Sequence, residues 1–405
     1  MLNDLDKLMT EREIQGIVVV GDTTLSNPDL RYVVGGNLAR GGIYVKRLHH
    51  DALLATSNLD LGTARRLGRV KRTSTFTEWG FEGIAAKYGR ANAYQHLIKS
   101  ILRSEGIDGR VSLYGRNDLA WGVHLADELR RMGVRIAGES SPTTLERARE
   151  TKSRREIENI REVGIKTANI VETVLNMLRK LKRKRGQLYF DRERATVGLI
   201  KKVIASKVGE ADLVAPEGTI LAIGSSGADP HNSGLASDPI KEGKLIVFDI
   251  FPQAETGYWF DLTRSFLLGR ADAKARSLFD TVYSAQNAGL DSLKAGTTGE
   301  AAMLRACQVI ERAGYKTVRE VFEGKAKEIQ SGFTHSLGHG VGLTIGESPY
   351  LSFLSRDPLK SGQVVTVEPG IYLPRYGGLR IEDTVLITGK GVDNFTTLDK
   401  ELEIS

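Results

Sequence analysis

The stretch VFDIFPQAETGYWFDLTR, residues 247–264, has the pattern of a β-hairpin: an apolar run, a turn at Ala254-Glu255-Thr256-Gly257, and a second run. Alternate residues of a strand share a face. With the turn centred on Glu255, Asp249 and Asp261 stand opposite each other on one face, where opposed Cβ atoms lie about 5 Å apart. Two carboxylates that close repel unless a cation lies between them. Paired divalent ions about 3.5–4 Å apart are one solution. Taken alone, the pair also has a structural reading, in which one acid caps the turn and the other meets a cation such as Arg264.

A second stretch repeats the pattern. Glu368 ends the run VVTVE and Glu382 lies in LRIEDT, and a turn at Arg375-Tyr376-Gly377-Gly378 sets the two acids opposite each other. Pro369-Gly370 then ends the strand just past the carboxylate. Between the two hairpins lies the loop HSLGHGVG, in which Gly338 and Gly340 flank His339 and allow the backbone a close approach. One imidazole and four carboxylates form a donor set for hard to borderline divalent ions, not for thiolate-seeking metals.

The motifs DIF…TGYWFDLTRSF, GHGVGL, VTVEPGIY and LRIEDT together resemble those of the pita-bread metallopeptidase superfamily, which includes Xaa-Pro aminopeptidases, prolidases, methionine aminopeptidases and creatinase-like proteins. The likeness covers nearly the whole chain and is to the two-domain Xaa-Pro aminopeptidase/prolidase branch. It implies an α+β pita-bread domain preceded by a smaller α/β domain. It further implies that Asp249, Asp261, His339, Glu368 and Glu382 hold two divalent metals, with Asp261 and Glu382 bridging both. Manganese is expected, with cobalt and zinc as alternatives. The implied reaction is metal-assisted hydrolysis of a peptide whose second residue is proline. By the same likeness Glu368 is the proton shuttle, His231 and His335 are active-site histidines, and Arg380 steadies the bridging acid. A homodimer is expected on the same ground.

The sequence departs from that pattern at three places. The position seven residues after His339, where the family has a histidine before a glutamate, is Gly346 followed by Glu347. An imidazole lost from an oxyanion-binding position can lower the rate about 10²–10³-fold. The first hairpin is one residue longer than usual, with Phe251-Pro252 after Asp249, and Ser336 replaces a glycine. The metal ligands are therefore complete while the substrate side is altered. Two alternatives stay open: a pita-bread homologue with little turnover that acts as a binding module, and a hydrolase of non-peptide C–N bonds like the creatinase branch, which lacks the metal ligands.

The rest of the chain is consistent with this organisation. Its 405 residues, 40% hydrophobic and 26% charged, suit two globular domains. Alternating strand-like and helix-like segments over 1–140 indicate an α/β domain. A boundary near Gly138–Pro142 leads into a joining helix over 143–185 and a catalytic domain over 141–405. No apolar run is long enough to span a membrane, and the opening MLNDLDKLMTEREIQ does not read as an export signal. The cytoplasm is the expected compartment. The single cysteine, Cys307, lies in a helical pattern and reads as a core residue. His49, His50, His96 and His124 have no ligand spacing and read as structural or surface residues. The net charge of +7 is densest in Arg179-Lys180-Leu181-Lys182-Arg183-Lys184-Arg185. With no aromatic interleaved, this run reads as the solvated C-terminus of a helix, where cations are favoured. Neither nucleic acid nor membrane is expected as a partner.

Overall fold

The computed structural model describes residues 1–404, which form two compact units, Met1–Arg149 and Glu150–Ser405. The first unit is built on a six-stranded mixed sheet. Its central strand Gly16–Gly21 pairs antiparallel with Gly42–Arg47 and parallel with Arg110–Tyr114. Helices Ala93–Ser104 and Leu119–Arg131 cover one face through Leu97, Ile98, Ile101, Leu125 and Leu129, which pack on Val18, Val20, Ile43 and Val111. The segment TTLSNPDLRYVVGGN, which reads as turn-rich, contains the helix Pro28–Val34. Asn27 caps it by accepting from Leu30 N–H, Pro28 occupies the first helical position, and Gly35 closes it at φ +77. Those turn-forming residues are also helix-end signals, and here they mark both ends of one short helix.

The joining segment is two helices, not one, the first ending at the boundary between the units and the second lying in the second unit. Thr144–Glu150 stops short of Ser153, which begins the helix Arg154–Arg179 with a capping box to Glu156. That reciprocal pair satisfies two otherwise orphaned N–H groups and sets the helix start. The helix ends at Arg179 with Lys180 as its C-cap, so only the first two residues of the basic run form a helix terminus. Lys182–Lys184 is instead the outer strand of a three-stranded antiparallel sheet with Gln187–Phe190 and Glu193–Arg194. The two-residue turn Arg185-Gly186, with φ of 51 and 77, brings the chain back on itself and overrides the helical pattern.

The site is carried by antiparallel ladders. The strand Ile246–Ile250 runs between Thr219–Ile223 and Leu262–Leu268. A five-stranded sheet contains Gly338–Val341, Val364–Val367 and Asp383–Ile387, and Gly370–Leu373 pairs with Gly377–Arg380. Helices Ala273–Ser292 and Gly299–Arg312 bury Leu278, Val282, Ala285, Met303, Ala306 and Ile310 against Leu337, Val365, Val367, Ile371, Leu379 and Val385. Cys307 belongs to this core, where burial pushes its thiol up to about 12. The architecture is the expected α+β fold. Among the described residues no helix is long and apolar enough to cross a membrane.

Candidate metal centre

The first hairpin differs in register from the reading of its sequence. Asp249 pairs with Thr263, not with Asp261. Gly257, at φ +86, donates to the Ala254 carbonyl, Ala254 donates to that of Tyr258, and Gln253 bridges Trp259. A left-handed glycine closing a three-residue loop centres the turn on Thr256, one residue later than expected. The shift moves the pairing by two residues, so parity is kept. Asp249 and Asp261 still share a face, now as diagonal neighbours, a relation typically about 7–8 Å apart.

Strand alternation sends the flanking aromatics the other way. Phe260 is fully buried beside Gly164 of the long helix, where an added Cβ would lie 2.5 Å from the ring. Tyr258 donates to Glu156 Oε1 at 2.8 Å, tying the strand to the capping box. With Tyr258 and Phe260 held against the helix, Asp261 must face the opposite side.

The second hairpin keeps its expected register. The ladders on either side, Val367↔Asp383 and Gly370↔Arg380, set Glu368 opposite Glu382. Ligand atoms of Asp261, His339 and Glu382 lie within 4.8 Å of one another. His339 Nε2 is 3.6 Å from Asp261 Oδ2 and 3.4 Å from Glu368 Oε1. Its Nδ1 donates to the Gly340 carbonyl at 3.1 Å, since a carbonyl can only accept. In the neutral ring Nε2 then carries the lone pair and faces the carboxylates as a ligand would.

Asp249 is held by Arg380, whose Nη2 donates to Oδ2 at 2.5 Å. The same guanidinium donates through Nε to Thr263 Oγ1 at 3.2 Å, and through Nη1 to Tyr372 Oη at 2.8 Å and the Pro230 carbonyl at 3.2 Å. Thr263 Oγ1 donates in turn to Glu382 Oε2 at 2.7 Å, and Thr366 Oγ1 donates to Glu368 Oε1 at 3.1 Å. Thr263, Thr366 and Tyr372 were not singled out from the sequence. All three do carry a signal there, because each sits at even spacing from one of the clustered acids, Thr263 from Asp261 and Thr366 and Tyr372 from Glu368.

The electrostatics do not balance. One guanidinium faces four carboxylates, and burial together with the neighbouring acids raises the Asp261 and Glu382 carboxyls well above the usual range. Burial, reinforced by Asp249 and opposed by Arg380, pushes Glu368 up to about 7. Asp249 Oδ1, Asp261 Oδ1 and Glu382 Oε1 are buried with no hydrogen-bond partner. Buried carboxylate oxygens left unmatched are costly, and a divalent cation supplies both the missing partners and the missing charge. The donor set fits such ions.

The two remaining histidines lie beside this cluster. His335 is half-buried, and both of its ring nitrogens are engaged. Nδ1 donates to the Ser336 carbonyl at 2.8 Å, and Nε2 is 2.9 Å from Tyr372 Oη. The first bond fixes the neutral tautomer, so the tyrosine hydroxyl donates to Nε2 while accepting from Arg380. Burial and the nearby Arg380 push the His335 imidazole down to about 3. His231 is exposed, in the loop whose Pro230 carbonyl Arg380 holds. Gly346 has φ +73 and open space where a side chain would project. Glu347 beside it is buried in an ion pair with Lys152 Nζ at 2.8 Å.

Residues 158–389 match the model of metallopeptidase family M24. The Xaa-Pro dipeptidase of Pyrococcus furiosus is 40% identical over 185 residues, covering 45% of this chain and 48% of that protein. The chain thus spans about half the length of the curated relatives it matches. The fold aligns with the crystal structure of an X-Pro aminopeptidase from Thermotoga maritima at TM-score 0.75 and 22% identity, over 98% of this chain and 99% of that one. It aligns with the prolidase of Pyrococcus horikoshii at TM-score 0.73 and 23% identity, over 99% of each. The matched segment contains every side chain of the carboxylate–histidine cluster, and the chain belongs to metallopeptidase family M24.

Proposed function

We propose that this chain is a metal-dependent exopeptidase that hydrolyses bonds between an N-terminal residue and proline, as an aminopeptidase or a dipeptidase. The observation that carries the reading is the convergence of Asp261, Glu382 and Glu368 on His339, with buried oxygens of Asp249, Asp261 and Glu382 left without a hydrogen-bond partner. In this proposal Asp249, Asp261, His339, Glu368 and Glu382 would hold two divalent ions, manganese first, with Asp261 and Glu382 expected from the family resemblance to serve both. Such ions, when bound, polarise a scissile carbonyl and make water a nucleophile near neutral pH. The curated relatives named Xaa-Pro dipeptidases support the substrate class. A cytoplasmic homodimer accords with the same likeness.

The chain's own residues supply the rest. Glu368 Oε1 is held by Thr366, leaving Oε2 to take a proton from the attacking water and return it to the departing amine. Arg380 fixes Asp249 and Thr263 and, through Pro230, the loop that carries His231. With both nitrogens occupied, His335 is better suited to orienting Tyr372 and Arg380 than to proton transfer. His231 is free to meet the substrate. The bare Gly346 favours a second reading, a metal-binding homologue with slow turnover. Metal analysis combined with hydrolysis of a graded panel of proline peptides separates the two. Two ions per chain with cleavage supports the peptidase; stoichiometric metal with no proline peptide cleaved supports the binding module.

A further inference from the structure

Outside the metal centre, the three-stranded sheet formed by Lys182–Lys184, Gln187–Phe190 and Glu193–Arg194 has two unlike faces. On the inner face Leu188 is 7% exposed and lies opposite Arg183, whose Nη1 reaches Glu242 at 3.4 Å. The outer face is set by the register. Tyr189, on the middle strand, is directly opposite Lys182 on one side and Arg194 on the other, and Lys184 is opposite Gln187. Opposed residues share a face about 5 Å apart. A half-buried aromatic ring is therefore flanked on both sides by cations, with Arg185 and Arg192 at the two turns. Among the described residues Lys182, Lys184, Arg185, Arg192 and Arg194 have no carboxylate partner, and all five are exposed. In the linear sequence these cations form a run with no aromatic in it. The antiparallel fold places Tyr189 between them.

We propose that this outer face binds single-stranded nucleic acid, with an unpaired base stacked on Tyr189 and the backbone phosphates held by Lys182, Lys184 and Arg194. A partly exposed aromatic on a cationic sheet is the arrangement that accommodates any base, because every base offers a π-face. Duplexes keep their bases stacked away from such a ring. An anionic bilayer would be met by cations with large apolar side chains among them, and Lys182, Lys184, Gln187, Tyr189 and Arg194 include no aliphatic group of that kind. This replaces the expectation, drawn from the linear run, that nucleic acid is not a partner. It is independent of the peptidase reading.

The test is fluorescence anisotropy of labelled twelve-nucleotide oligouridine and oligothymidine with the intact, manganese-loaded protein. Unlabelled duplex DNA, inorganic polyphosphate and phosphatidylserine vesicles serve as competitors. Three to four phosphate contacts give log K against log salt a slope of about −2 to −3. Tyr189→Ala should weaken binding about ten-fold or more without changing that slope, while Tyr189→Phe retains affinity and shows that the hairpin still folds. Lys182→Ala with Lys184→Ala should weaken binding and flatten the slope by about 1. The proposal is overturned if neither oligonucleotide binds, or if Tyr189→Ala binds like the parent. It is overturned equally if vesicles or polyphosphate compete better than the single strands, which would make the face a general anion or lipid surface.

Discussion

Arg380 Nη2 donates to Asp249 Oδ2 at 2.5 Å, and the other oxygen of that carboxylate is buried and unmatched. One oxygen is thus committed to the protein, while the other has its acceptor capacity unused. In the proposed metal site, this support would orient Asp249 before any ion arrives.

Arg380→Lys should weaken metal binding about 10–100-fold, the range found for lost supporting partners. An ammonium is a single point donor and cannot serve Asp249, Thr263, Tyr372 and Pro230 together. Chelator competition measures the effect; an unaltered dissociation constant would remove Arg380 from that role.

Asp261→Ala should abolish metal at both positions, and a variant that retains two ions per chain contradicts the bridging assignment. Asp261→Asn tests the electrostatic origin of the same residue's strain. Its carboxyl is raised by burial and by Glu382, Asp249 and Glu368, so removing the charge relieves repulsion in the metal-free protein. Metal-free Asp261→Asn should therefore be more stable to urea than metal-free parent at neutral pH, by about 1–3 kcal/mol. A lower urea midpoint would show that the cluster is not strained without metal.

Gly346→His should raise kcat on Xaa-Pro substrates by restoring a donor. The space is open, but φ +73 makes the left-handed conformation cost roughly 1–2 kcal/mol, a penalty small enough for folding to survive. A metal-loaded variant with unchanged or lower kcat tells against the missing-donor argument.

Gly164→Ala should destabilise the second unit by about 1–3 kcal/mol, because its Cβ would overlap the Phe260 ring. Displacing Phe260 also displaces Asp261, so metal affinity should fall with stability. Thermal melting combined with metal titration checks both, and an unperturbed affinity would uncouple the helix from the ligand strand.

The first unit offers a pH test. Burial alone would raise the Glu139 carboxyl, but hydrogen bonds from Tyr114, Thr144 and Arg12 outweigh it and leave it below the usual range. A depressed folded value stabilises above the ordinary carboxylate range and is lost as pH falls through the folded value. The parent should thus be more stable than Glu139→Gln at neutral pH, and the two should converge in acid. Urea midpoints measured across pH 3–7 report this, and parallel profiles would refute it.

By itself the sequence singled out the four acids and the histidine of the proposed metal site. Asp249 lies within a strand and Asp261, Glu368 and Glu382 directly adjoin strand ends, and a period of two cannot place such a residue on the wrong face without moving all its neighbours. The 3.6-residue periodicity of apolar positions likewise marks the helices over Ala93–Ser104 and Gly299–Arg312. Tertiary structure decided the rest. The turn on Thr256, which set Thr263 and not Asp261 opposite Asp249, depends on one glycine's left-handed backbone. The engagement of His335 by Tyr372 joins a loop to a strand 37 residues away in the chain. The basic run became a strand because Arg185-Gly186 turns more readily than it continues a helix. Its pairing with Tyr189 exists only across the ladder. Local periodicity is written along the chain, whereas register and partnership are set by where the chain comes back to meet itself.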